Sequence, residues 1–149
     1  MAGQFAGKTI AITGAAGGIG QWLCRFFGDE GATIAAIDRV EKVNDLVDRL
    51  GKDGITVKPA VVEITDASAG QAAFAGFGDV HVLINNAGIS IRRPSTELAL
   101  EDWNRVVSVN LTGLFLCSRT AARSWIGRGA PGAVINTASI MSYSGGGLP

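Results

Sequence analysis

Five short apolar runs alternate along this chain with longer stretches of helical period, and that alternation leaves few folds open. The runs are Lys8–Thr13, Ala32–Asp38, Thr56–Val62, Val80–Asn85 and Ala133–Thr137. Each is short and bounded by glycine, proline or polar residues, as strands in the interior of a sheet are. Between them Ile19, Trp22, Leu23, Phe26 and Phe27 recur at helical spacing, which predicts one helix with a wide apolar face that Gly31 ends. Val43, Leu46, Val47 and Leu50 mark a second helix closing near Gly51, and a shorter, glycine-weakened one runs from Ala67 to about Phe77. From about Glu101 to Ile126 apolar residues surround most of the helical circumference, which predicts a long helix buried against several neighbours. A strand that returns parallel to its predecessor needs such a crossover, and right-handed crossovers leave few arrangements, of which the doubly wound α/β sheet of order 3-2-1-4-5 puts the third strand at an edge. Pro59 has no N–H to give a ladder, so the third strand belongs at an edge.

Bulk properties narrow the function classes. A chain of 149 residues reads as one domain over 1–149, with enough length for a real core. Thirteen basic and thirteen acidic side chains cancel, so nothing electrostatic favours nucleic acid or an anionic membrane. No apolar run reaches the ~18 residues of a membrane span, and MAGQFAGKT lacks the build of a signal peptide. Cys24 and Cys117 stand far apart within helical patterns, suggesting neither a disulfide framework nor a metal centre, and a reducing cytoplasmic setting is expected. The 21 glycines gather at the ends of apolar runs, as tight strand-to-helix turns require.

The segment TGAAGGIG, Thr13–Gly20, joins the first strand to the first helix. A diphosphate reaches the backbone there only where side chains are missing, and the helix beginning near Gly18 aims free N–H groups and its positive dipole end at it. Asp38 closes the second strand 24 residues after Gly14, where a carboxylate accepts from both adenosine ribose hydroxyls and repels a 2′-phosphate. Arg39 beside it offsets part of that repulsion.

Gly14, Gly18 and Gly20 form T-G-x-x-x-G-x-G, NNAG (Asn85–Gly88) follows the fourth strand, VNLTG (Val109–Gly113) lies in the long helix, and INTAS (Ile135–Ser139) completes the fifth strand. In these four ordered motifs the whole chain resembles the short-chain dehydrogenases/reductases. The resemblance implies a Rossmann-type fold and hydride transfer between a nicotinamide cofactor and an alcohol or ketone. Gly14, Gly17, Gly18, Ile19, Gly20, Asp38, Arg39, Glu63, Ile64, Asn86, Ala87 and Gly88 are then the expected cofactor contacts, with NAD favoured over NADP and Glu63-Ile64 standing where the family usually has an aspartate near the adenine. Ser139 matches the serine that orients the substrate oxygen, and Asn110 the helix asparagine that supports a relay water. No metal is implied. The complete protein is expected to be a homodimer or homotetramer.

The family's acid/base is the tyrosine of Y-x-x-x-K, whose lysine brings a side chain of pKa ~10 toward working pH. Tyr143 is the single tyrosine, too close after Ser139 to match, with Gly147 where its lysine would stand; the last lysine is Lys58. The chain therefore reads as the cofactor-binding part of an oxidoreductase ending before that motif, inactive alone. The alternative is a non-catalytic dinucleotide-binding or assembly protein. ISIRRP (Ile89–Pro94) and IMSYSGG (Ile140–Gly146) are similar to segments of sugar- and polyol-oxidising members and are expected at the substrate mouth, with Arg92 or Arg93 as a substrate contact. His81, the one histidine, is read as structural.

Overall fold

A computed structural model describes residues 3–143. Its strands are β1 (Thr9–Thr13), β2 (Thr33–Asp38), β3 (Val57–Val61), β4 (Val80–Asn85) and β5 (Ala133–Asn136). They form one parallel sheet of order β3-β2-β1-β4-β5, so the expected topology and the edge placement of the Pro59 strand both hold. The helices are α1 (Gly18–Asp29), α2 (Asp45–Gly51, preceded by the 3-10 turn Glu41–Asn44), α3 (Ala67–Phe77), α4 (Leu100–Val107) and α5 (Leu114–Arg128). Alternate residues of the central strands face opposite layers. Ile10, Ile12, Ile34 and Ala36 pack with Cys24, Leu46 and Leu50 on one side. Ala11, Ala35, Ile37 and Leu83 pack with Phe74, Phe77, Cys117 and Trp125 on the other.

Local chemistry ends the elements where they end. Gly31 at φ 87° turns the chain out of α1, and Gly129 at φ 61° caps α5 in the left-handed conformation. The Asp66 side chain accepts from the N–H groups of Ser68 and Ala69 and so caps α3. β4 carries a bulge opposite Thr9, and the ring of His81 fills the gap: its Nδ1 accepts the Thr9 N–H at 3.1 Å. That is a structural role, as the sequence suggested. Both cysteines are buried and free, and burial pushes their thiols up to about 12 for Cys24 and about 11 for Cys117.

Two expectations about apolar faces need correction. In α1 only Leu23 and Phe27 turn toward the core; Ile19, Trp22 and Phe26 are exposed, with the last two stacked on each other. The buried positions of α1 are the small Gly20, Cys24 and Gly28, with Gly20 against the glycine turn and Gly28 against Ile55. The long helix is likewise not buried all round. It runs from Leu100 to Arg128 but widens into a π-helical segment at Ser108–Gly113, and Leu100, Trp103, Leu111, Phe115 and Ile126 remain exposed. Cys117, Ala121 and Trp125, every fourth residue, form its buried stripe.

Candidate functional site

The order of strands reverses between β1 and β4, and a crevice opens there at their carboxyl ends. Thr13 ties the two strands across it. Buried at the end of β1, its Oγ1 accepts the N–H groups of Asn86 and Ala87, each at 3.0 Å. Asn86 answers by donating Nδ2 to the carbonyls of Thr13 at 3.1 Å and Gly14 at 3.3 Å. Sequence reasoning passed over Thr13; its signal was a polar residue ending an apolar run immediately before the glycines.

The glycine turn is as close-packed as a backbone permits. Gly14 adopts φ 67°, and a Cβ there would stand 2.9 Å from the Ala87 Cα. A Cβ on Gly20 would overlap the Gly14 carbonyl. Gly18, by contrast, faces open space. No side chain among the described residues caps α1 and its first turn holds no acid, so the backbone N–H groups of that turn face the crevice unneutralised.

The crevice encloses about 450 Å³ and is lined by Gly14, Gly17, Gly18, Ile19, Gly20, Asp38, Arg39, Glu63, Ile64, Asn86, Ala87 and Gly88, all twelve of the residues singled out as cofactor contacts. Val62, Ile89 and Val109 complete its wall and were not anticipated. The Asp38 carboxylate is already engaged with the loop: Oδ2 accepts the Ala16 N–H at 2.9 Å and Oδ1 the Val40 N–H at 3.3 Å. Arg39 forms no ion pair among the described residues. Ile64 leans on the π-helical segment, where a Cβ on Gly113 would meet its Cδ1 at 2.7 Å.

Asn110 lies in the same π-helical segment. Its Oδ1 accepts the Ile89 N–H and its Nδ2 donates to the Ile89 carbonyl, both at 2.9 Å, so the side chain grips the loop after β4 as a second backbone would. Ser139 begins the 3-10 turn Ile140–Ser142 with Oγ accepting the Met141 N–H at 3.2 Å. Beneath it, Asn85 bonds the Ser118 hydroxyl and Asn136 Oδ1 at 2.9 Å each, joining β4, β5 and α5. Arg92 and Arg93 are exposed, as is Tyr143. Ser144 to Gly146, the rest of the second expected mouth segment, and Gly147 lie outside the described residues.

A parallel doubly wound sheet with a glycine turn at its switch point defines the Rossmann-type α/β class. The particular family follows from comparison. A model of the short chain dehydrogenase family matches residues 8–147, and the chain belongs to that family. It is 39% identical to 5-keto-D-gluconate 5-reductase of Escherichia coli K12 over 95% of this chain and 58% of that protein. It is 36% identical to D-threitol dehydrogenase of Mycolicibacterium smegmatis over 89% and 53% of the respective lengths. The crystal structure of a gluconate 5-dehydrogenase from Burkholderia cenocepacia, in complex with NADP and tartrate, superposes with a TM-score of 0.86 at 35% identity, covering 93% of this chain and 56% of that one. NAD+-bound xylitol dehydrogenase gives 0.89 at 28% identity, covering 95% and 56%. The chain thus spans about half the length of the relatives it matches.

Proposed function

We propose that this chain, as one domain, binds a nicotinamide dinucleotide in the β1/β4 crevice, and that the complete protein is an oxidoreductase acting on a small alcohol or ketone. One observation carries the reading: twelve residues from motifs scattered between positions 14 and 88 line a single crevice. The missing Cβ atoms of Gly14 and Gly20 and the uncapped start of α1 suit a diphosphate. Asp38 and Glu63 suit the adenosine end, and Asn86 to Ile89 lead toward the nicotinamide. When bound, the dinucleotide supplies the hydride donor or acceptor.

The chain's own residues hold the reacting groups. Ser139 accepts a backbone N–H at its oxygen, which leaves the hydroxyl proton free to donate to a substrate oxygen. Asn110, fixed by Ile89, retains one N–H and one lone pair for a relay water. The tuned acid/base is assigned to that part of the relatives' length which this chain does not span. Sugar acids or polyols are the proposed substrate class, supported by the similarity to gluconate and threitol enzymes. A dimer or tetramer is the proposed assembly.

NAD is the favoured cofactor because Asp38 faces the crevice. NADP is the second reading, favoured by Arg39, which lines the crevice and forms no ion pair among the described residues, and by the NADP bound in the Burkholderia relative. Calorimetry decides between them: NAD is expected to bind more tightly than NADP, with Asp38→Ala narrowing the difference. Equal or tighter binding of NADP by the unaltered protein would overturn the assignment of Asp38.

A further inference from the structure

Ala16 sits at the crest of the glycine turn, and both sides of its peptide linkages are held. Its N–H donates to Asp38 Oδ2, as described above. Its carbonyl accepts from Gln21 Nε2 at 2.6 Å, and Gln21 Oε1 in turn accepts from the Arg49 guanidinium at 2.9 Å. The amide can point only one way, because the carbonyl needs a donor and the guanidinium an acceptor. A chain of hydrogen bonds thus runs from α2, through the second turn of α1, to the crest of the loop. The neighbouring Ala15 N–H is fixed by the Ile37 carbonyl at 3.1 Å and the Gly17 N–H by the Gly14 carbonyl at 3.1 Å. Side chains thus set two carbonyls of the turn, that of Gly14 by Asn86 from across the crevice and that of Ala16 by Gln21 from α1 itself.

We infer that Gln21, oriented by Arg49, is a positioning residue for the dinucleotide's diphosphate. It is not itself among the residues that line the crevice. By holding the Ala16 carbonyl, alongside the bond from the Gly17 N–H to the Gly14 carbonyl, it fixes the peptides that lead into α1, so that the uncapped N–H groups of the first helical turn stay in place and binding need not first order the loop. A loop released from this brace samples conformations that turn a carbonyl, rather than N–H groups, toward an anion. The inference rests on the dinucleotide reading of the crevice, and it assigns Gln21 to the diphosphate rather than to the adenosine.

The test measures the affinities of the complete protein for NAD, ADP-ribose and adenosine, the last by competition. Gln21→Ala is expected to weaken NAD and ADP-ribose alike by about threefold to tenfold, the worth of one hydrogen bond, and to leave adenosine unchanged. Gln21→Glu keeps the acceptor for Arg49 but sets a carboxylate against the Ala16 carbonyl, and should be at least as damaging. Arg49→Ala should act in the same direction more weakly, and the double variant Gln21→Ala/Arg49→Ala should lose no more than Gln21→Ala alone. Unchanged NAD affinity in Gln21→Ala, or equal losses for NAD and adenosine, overturns the inference while leaving the crevice reading intact. Failure of the unaltered protein to bind any dinucleotide defeats both.

Discussion

Thr13 shows how one hydroxyl can hold a site open. It is buried, and it is the acceptor for two N–H groups on the neighbouring strand's loop. Thr13→Val keeps the shape and removes the acceptor, leaving both donors unpaired; the expected cost is about 2–4 kcal/mol in urea denaturation. Thr13→Ser should recover most of it. A valine variant as stable as the parent would show that water replaces the hydroxyl. The residue also marks the limit of what can be read before folding. Gly14, Gly20 and Asp38 were legible because glycines in a strand-to-helix turn and a carboxylate at a strand end are patterns visible in the sequence, and the fold brings them to one crevice. Thr13 and Gln21 were not, because their partners stand 73 and 5 residues away and only the folded backbone decides that a lone pair will be needed there.

At the scale of elements, alternation gave the parallel sheet, and the handedness of crossovers together with Pro59 pointed to the strand order that the fold shows. The helical faces were not readable. Periodicity marks an apolar stripe but not the part of it that is buried, and in α1 the small residues Gly20, Cys24 and Gly28 take that place while Trp22 and Phe26 face outward. Nor does any sequence period announce the π-helical turn that presents Asn110 to Ile89. α3 is the element most dependent on its ends, being rich in glycine and alanine, and Asp66 carries its cap. The Ala69 N–H above all, with the Ser68 hydroxyl and N–H, holds the Asp66 carboxyl below the ordinary carboxylate range. A folded-state value that is depressed adds stability above the unfolded value and loses it as pH falls through the folded one. Asp66→Ala should therefore lower the melting temperature at pH 7, and the gap from the parent should close as the pH drops below about 4. A gap constant down to pH 2 would remove the carboxylate from the account.

For the molecule as a whole, the outer side of the sheet beyond β4 is thinly covered. β5 has β4 as its one partner among the described residues, and all four of its residues are exposed. On the long helix Leu111 and Phe115 also stand exposed, with Val107 and Leu114 half-buried. A bare parallel edge and exposed apolar side chains are each association surfaces. Light scattering of the 149-residue chain is expected to show self-association, relieved by Phe115→Glu. A stable monomer of 15.3 kDa would count against this. The position of β1 has a different consequence, for synthesis. β1 must join β2 nearby and also β4, and Asn86, which follows β4, lies 73 residues beyond Thr13. On the ribosome β1, β2 and β3 emerge first, so three of the five strands can assemble while the glycine turn still has no opposite wall. At ordinary elongation rates that interval is about 4–15 s. The crevice is therefore born at a definite moment of translation, when the NNAG segment clears the exit tunnel and Thr13 finds its two amides.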